Sequence, residues 1–154
     1  MATTNAQIDI TSEDLLTDNL SLSANMYLNQ HGTEGTGLDE MNYHRANIPT
    51  GTNFTLIQES AALNTSGANY VYLINKNTDP TDYVIVSIRT EVIGRLYAGD
   101  WMFIPYSDAT TATTGVDDPS GNDSDIEIQA VTHECTIEYA MFHNGETLLT
   151  ASDS

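Results

Sequence analysis

Apolar and polar residues alternate with a period of two along much of the chain, and the stretch from Tyr83 to Phe142 has no helical period. The clearest alternation lies in the runs DIEIQAV and CTIEYAMF near the C-terminus. Their apolar positions are Ile126, Ile128 and Ala130 in the first run and Cys135, Ile137, Tyr139 and Met141 in the second. Because side chains of a strand point alternately to two faces, these runs predict strands with one buried side.

Short apolar runs between turn residues predict further strands. The run from Leu20 to Leu28 is predicted to be the first strand of the core. The other predicted strands are residues 41–49, 54–57, 69–74, 83–88, 91–96 and 101–105. Short, regularly spaced strands without long helices favour a sandwich, jelly roll or barrel over a parallel sheet. The predicted fold class is all-β, an antiparallel β-sandwich or jelly-roll-like domain with an extended N-terminal arm.

Two connections between predicted strands carry clear turn signals. Asn, Asp and Pro cluster between Asn75 and Asp82, and this cluster predicts a hairpin that joins the flanking strands. Between Leu96 and Trp101, Gly99 is expected to supply the positive φ of a tight turn.

Two segments depart from the strand pattern. Residues 1–19 are polar and acidic, and we interpret them as an extended N-terminal arm, with a disordered tail as the alternative. Residues 20–154 are then one β-sandwich domain, which fits the usual size of a single hydrophobic core. Residues 107–125 are acidic, low in complexity and free of aromatic residues, which predicts a long exposed loop.

Charge excludes one class of partner. The chain has 22 acidic and four basic residues, so its formal net charge is −18. Such a surface repels phosphate backbones, and we expect no nucleic-acid partner. No run approaches the roughly 18 apolar residues of a membrane span, and the N-terminus has no recognisable secretion signal. We therefore expect a protein that is made in the cytoplasm and has no membrane partner.

Candidate metal ligands are scattered. The predicted loop contains four acidic residues that could surround Ca²⁺: Asp117, Asp118, Asp123 and Asp125. Their spacing does not match an EF-hand loop, and a solvated acidic loop is the favoured interpretation. His133 and Cys135 would share one face of a strand, but zinc requires three or four ligands. The other histidines, His31, His44 and His143, stand alone in the sequence.

Catalytic motifs are not found in the sequence. It has neither the Gly-x-Ser-x-Gly nucleophile elbow nor a phosphate-binding Gly-x-x-x-x-Gly-Lys loop. A carboxylate pair for glycoside hydrolysis could be chosen from any acidic protein, so a small hydrolase stays a minority hypothesis. The sequence predicts no enzyme, no catalytic or metal-binding residue and no cofactor.

Three segments of the second half resemble small structural proteins of tailed bacteriophages. Val71 to Asn75 match a V-Y-x-x-N strand, and Ile93 to Pro105 match an I-G-x-L-x-x-G-[DE]-[WF]-x-F-x-P hairpin. Glu138 to Phe142 match a final E-Y-x-x-F strand. The resemblance implies a virion component, such as a homotrimeric decoration (cement) protein that binds the major capsid protein. It leaves open a tail or fibre component that binds host glycans.

The same pattern suggests where subunits would meet. Glu127 and Glu138 lie opposite the apolar positions of their strands and are expected to keep one side of the sheet solvated. Contacts are then expected at sheet edges or at the aromatic-rich strand ends near Tyr97, Trp101 and Tyr106. Since packaged DNA is also negative, the net charge predicts a position on the outer surface of the capsid.

Overall fold

The computed structural model describes residues 4–13, 20–28, 40–57, 69–88, 91–106 and 125–143. These residues form ten strands: β1 Asn5–Ser12, β2 Leu20–Tyr27, β3 Glu40–Ile48, β4 Phe54–Ile57, β5 Asn69–Asn75, β6 Tyr83–Ile88, β7 Glu91–Tyr97, β8 Trp101–Tyr106, β9 Ile126–Ala130 and β10 Cys135–His143. The described segments contain no helix that is long and apolar enough to cross a membrane.

Strands β3 to β10 build a sandwich of two antiparallel sheets. The front sheet has the order β3-β10-β5-β8, and the back sheet has the order β4-β9-β6-β7. Successive strands lie in alternate sheets, except that β6 and β7 form a hairpin within the back sheet. An eight-stranded double sheet with these connections is a jelly roll. The predicted all-β sandwich or jelly-roll class is confirmed.

The core lies between the sheets and is filled by the inner positions of the period-two pattern. Val71, Leu73 and Ile137 of the front sheet belong to the same buried cluster as Val86 and Ile128 of the back sheet. Each of these side chains is at most 1% exposed. Burial of such a side chain contributes about 1.5–3 kcal/mol, so this layer is the main stabilising element of the sandwich.

The predicted strands from residue 41 onward are all present, and each end agrees within one residue. The alternation is confirmed most clearly in β9, where Ile126, Ile128 and Ala130 are buried and Glu127 and Gln129 are half-buried. The predicted loop of residues 107–125 lies outside the described residues, apart from Asp125.

The predicted hairpin over Asn75 to Asp82 is wrong. β5 lies in the front sheet and β6 in the back sheet, so this segment crosses from one layer to the other. The end of β5 is held there because the Asn75 side chain donates to the Leu96 carbonyl at 3.1 Å. The Asn75 backbone N–H donates to the Asp100 carbonyl at 3.0 Å. Turn residues show that the chain reverses, but they do not identify the next strand's partner.

The hairpin that the phage resemblance implied for Ile93 to Pro105 is also absent, because β7 and β8 lie in different sheets. The tight turn itself is confirmed. Gly99 has φ of +86°, and the Asp100 N–H donates to the Tyr97 carbonyl at 2.8 Å. An L-residue rarely adopts this φ, so glycine is favoured at this corner between the sheets.

β1 and β2 form a separate antiparallel hairpin, with a register that runs from Asn5 opposite Tyr27 to Ser12 opposite Leu20. The predicted first core strand is therefore a strand, but its partner is β1 and not a strand of the sandwich. Residues 5–12 of the predicted arm are strand as well. The division into an arm of residues 1–19 and a domain of residues 20–154 stays a prediction.

Substitution of one inner isoleucine tests the position of the core. We expect Ile128→Ala to lower the free energy of unfolding by about 2–5 kcal/mol, because Ile128 is 1% exposed and the change leaves a cavity. The matched control is Ile93→Ala, at a position that is 46% exposed, with an expected loss within about 1 kcal/mol. Urea unfolding measures both, and equal losses would contradict this assignment of the core.

Candidate interaction surfaces

The hairpin of β1 and β2 has one apolar and one polar side. We call the apolar side the hairpin apolar face, and it consists of Ala6, Ile8, Ile10, Leu20, Leu22, Ala24 and Met26. On the polar side, Gln7 and Ser23 donate to the Asp9 carboxylate at 2.7 and 2.6 Å. The charged Asp9 therefore lies on the side away from the apolar residues.

The root of the hairpin packs on the front sheet. Leu28 is 1% exposed and forms a small cluster with Tyr70, and Ala6, Phe103 and Phe142 pack against this cluster. Four larger apolar side chains of the hairpin apolar face are exposed: 37% for Ile8, 42% for Met26, 51% for Ile10 and 55% for Leu22. An isolated two-stranded hairpin is marginally stable at best in water. These exposed apolar side chains make the hairpin apolar face a candidate interaction surface.

The front sheet has a second apolar surface on its side away from the core. We call it the front-sheet outer face, and it consists of Met41, Tyr43, Arg45, Tyr70, Tyr72, Ile74, Trp101, Phe103, Pro105, Glu138, Ala140 and Phe142. The register places Tyr43, Ala140, Tyr72 and Phe103 in one row across the four strands. Met41, Tyr43 and Trp101 are 55%, 53% and 51% exposed. These exposed residues lie on the two edge strands, β3 and β8, and make the outer face a candidate interaction surface.

The aromatic residues of β8 point to different sides. Trp101 lies on the outer face, with its ring centroid 6.4 Å from that of Tyr72. Tyr106 is 3% exposed and belongs to the core, so the contact role predicted for Tyr106 is wrong. Tyr97 is 39% exposed on β7, at the predicted strand end. Positions 101 and 106 differ by an odd number, which puts them on opposite faces of one strand.

One end of the front-sheet outer face holds a charged cluster. Arg45 donates through Nε to Oε1 of Glu138 at 3.0 Å, and Lys76 Nζ lies 3.9 Å from Oε2. Hydrogen bonds from Tyr43 and Arg45 hold the pKa of Glu138 below its usual value. Glu138 is only 9% exposed, so the prediction that it faces open solvent is wrong. The side chains of Arg45 and Lys76 are 64% and 44% exposed, which makes this end of the face basic.

A groove of about 380 Å³ lies beside the hairpin root, between β1 and the front-sheet outer face. It is lined by Asn5, Ala6, Gln7, Ile8, Tyr72, Trp101 and Phe103. All seven lining residues are uncharged, and three of them, Tyr72, Trp101 and Phe103, are aromatic. An uncharged lining with aromatic rings suits a neutral ligand that has an apolar surface.

A polar cluster around Asp82 joins two connections between the sheets. The Asp82 carboxylate accepts from Asn77 Nδ2 at 2.8 Å and from Thr132 Oγ1 at 3.2 Å. His133 Nδ1 lies 2.7 Å from the same carboxylate. The His133 hydrogen bond is the main cause that lowers the pKa of Asp82, and the same bond raises the pKa of His133. Asp82 is 6% exposed, and its bonds tie the β5–β6 connection to the β9–β10 connection.

The expected pairing of His133 with Cys135 on one strand face is wrong. His133 lies in the bend before β10, and its side chain is 71% exposed. Cys135 is fully buried, its thiol contacts the carbonyl rather than the ring of His133 at 3.5 Å, and burial raises the pKa of that thiol. Within the described residues, no group of three His, Cys, Asp or Glu side chains could hold a metal ion.

The other candidate ligands do not form a described site. His44 stacks on Tyr139 with ring centroids 5.2 Å apart. Asp125 is half-buried at the start of β9. Asp117, Asp118, Asp123 and His31 lie outside the described residues, as does the side chain of His143.

The lowered pKa of Asp82 and the raised pKa of His133 predict that their contribution to the stability of the fold depends on pH. Asp82 stabilises the fold above its ordinary pKa of about 3.9, and this contribution is lost as pH falls. The raised pKa of His133 gives a contribution that is complete below about pH 6.5 and is lost at higher pH. We therefore expect the stability difference between wild type and His133→Gln to be larger at pH 5.5 than at pH 8.5. Thermal unfolding at both values checks this, and a difference independent of pH would contradict the ion pair.

Comparison with known proteins gives no indication of what binds to these surfaces. No protein-family model, curated protein or solved structure significantly matches this chain.

Proposed function

We propose that this chain is a structural protein of a virion, a decoration (cement) protein that stabilises the head of a tailed bacteriophage from outside. The uncovered hairpin apolar face carries the proposal. Jelly rolls occur in viral capsid proteins and also in lectins and cupins, so the fold is compatible with several functions. Four large apolar side chains at 37–55% exposure, on a hairpin that needs further packing, favour a protein whose working state is an assembly.

Charge supports a position on the outside of the particle. The net charge of −18 would oppose binding next to packaged DNA. On the outer surface the same charge would keep particles apart in solution. The major capsid protein is the expected partner and a homotrimer is the expected form, as the resemblance to phage structural proteins implies.

Location on particles tests the proposal. Virions purified from the source of this sequence should contain the chain as a component detectable by mass spectrometry. Immunogold labelling of intact particles should place it on the head, and the label should not require particle disruption. A chain that is missing from purified particles would contradict the virion role, and labelling only after disruption would contradict the outer position.

A tail or fibre component that binds host glycans is a second candidate, and the groove beside Trp101 favours it. A sugar ring can stack its apolar face on an exposed aromatic side chain such as Trp101, which is 51% exposed in this groove. The neutral lining predicts a neutral glycan, because the strongly acidic chain repels anionic ones.

Replacement of the groove tryptophan tests the glycan candidate. If the groove binds a neutral glycan, Trp101→Ala should remove most of the signal on a glycan array, because the stacking surface is lost. The control Val92→Ala changes another exposed apolar residue, 65% exposed on the back sheet, and should retain the signal. An array without hits for the wild-type chain would contradict this candidate.

A further inference from the structure

We propose that the hairpin apolar face of one chain docks on the front-sheet outer face of a second copy of the same chain. This inference rests on the proposed function in one respect, namely that the hairpin binds another protein. It goes further because it identifies both surfaces and makes the acceptor a part of this chain.

The hairpin root shows the kind of surface that the hairpin fits. Met26 and Ala6 of the hairpin apolar face already contact or pack near Tyr70, Phe103 and Phe142 of the front-sheet outer face. Beyond the root, both surfaces carry further apolar side chains that are exposed. Ile10 and Leu22 on the hairpin and Met41 and Tyr43 on the sheet are each more than half exposed.

The hairpin as a whole and one end of the front-sheet outer face differ in charge. No Lys or Arg precedes Arg45 in the sequence. The charged side chains at the hairpin, such as Asp9 in β1 and Glu13 directly after it, are therefore acidic. The front-sheet outer face ends in the cluster where Arg45 and Lys76, two of the four basic residues of the chain, are 64% and 44% exposed. For a chain of net charge −18, this face is where an acidic hairpin meets the least repulsion.

The position of Asp9 makes the hairpin suitable for burial. Its carboxylate lies on the polar side and is bonded to Gln7 and Ser23, so docking of the opposite side would not desolvate it. The contact joins two different surfaces. Such heterologous contacts build closed rings when the rotation between subunits closes.

Light scattering on matched variants provides the first test. The wild-type chain should associate at micromolar concentration, and Ile10→Asn with Leu22→Asn should raise the apparent Kd by about 100-fold or more. The control pair is Thr11→Asn with Ser21→Asn, the neighbouring cross-strand pair on the polar side, which should associate like wild type. Circular dichroism and thermal unfolding verify that each variant is folded.

Mixing provides the decisive test. Met41→Asn with Tyr43→Asn removes the acceptor surface but leaves the hairpin intact, so this variant alone should be monomeric at 16.8 kDa. When it is mixed with the Ile10→Asn, Leu22→Asn chain, one intact hairpin and one intact acceptor face are present. We expect a complex of one chain of each variant, which contact between two hairpins could not produce.

Several results would overturn the inference. They are a monomeric wild-type chain at high micromolar concentration, unchanged association of the Ile10→Asn, Leu22→Asn chain, and a mixture that stays monomeric while the wild type associates. A wild-type chain that is monomeric in solution and is nevertheless found on the head would overturn this inference alone. The proposed function would then still hold, with the capsid as the partner of the hairpin.

Discussion

Packing of the two apolar sheet faces against each other is the interaction on which the rest of this structure depends. Consecutive strands mostly lie in different sheets, so most strand pairs join distant parts of the chain. Ile48 of β3, for example, pairs with Cys135 of β10, and both are fully buried. Neither sheet can form locally before the core that holds both is in place. A fold with so many non-local pairs is expected to form cooperatively and slowly.

Buried polar residues determine where the chain passes from one sheet to the other. Asn75 is fully buried, and its hydrogen bonds fix the end of β5 beside the β7–β8 turn. Asp82 is 6% exposed and connects two further crossings through Asn77, Thr132 and His133. Removal of the Asn75 side chain would leave the carbonyl of the buried Leu96 without this hydrogen bond, which costs more than the bond itself contributes. The corners of the sandwich are therefore specified by polar contacts, and its layers by apolar ones.

The chain has more apolar strand surface than a single sandwich can bury. The hairpin apolar face and the front-sheet outer face both use the same alternation as the core, yet much of each is exposed. In a single soluble chain such surfaces favour aggregation, and the net charge of −18 counteracts it by mutual repulsion. A protein with these properties is suited to specific assembly, and this is the physical basis of the proposed structural role.

From residue 20 onward, the sequence by itself determined which described residues are strand and, in the clearest cases, which strand face enters the core. Both follow from neighbours two positions apart, as for Ile126, Ile128 and Ala130. The same signal was present in Ile8 and Ile10, which alternate with polar residues, but the acidic context of the segment favoured an arm. Their exposed face, the main candidate surface, could have been found from that alternation.

Only the tertiary structure decided which strands pair, because partner choice depends on contacts between distant segments. The residues from Asn75 to Asp82 look like a hairpin turn, yet the strands on either side belong to different sheets. Trp101 and Tyr106 are the first and last residues of β8 and are both aromatic, but only Tyr106 faces the core. Glu138 alternates like a solvated residue and is nevertheless covered, because Arg45 and Lys76 approach it from elsewhere in the chain. Local periodicity carries no information about which segment lies opposite, and the packing of the two sheets supplies it.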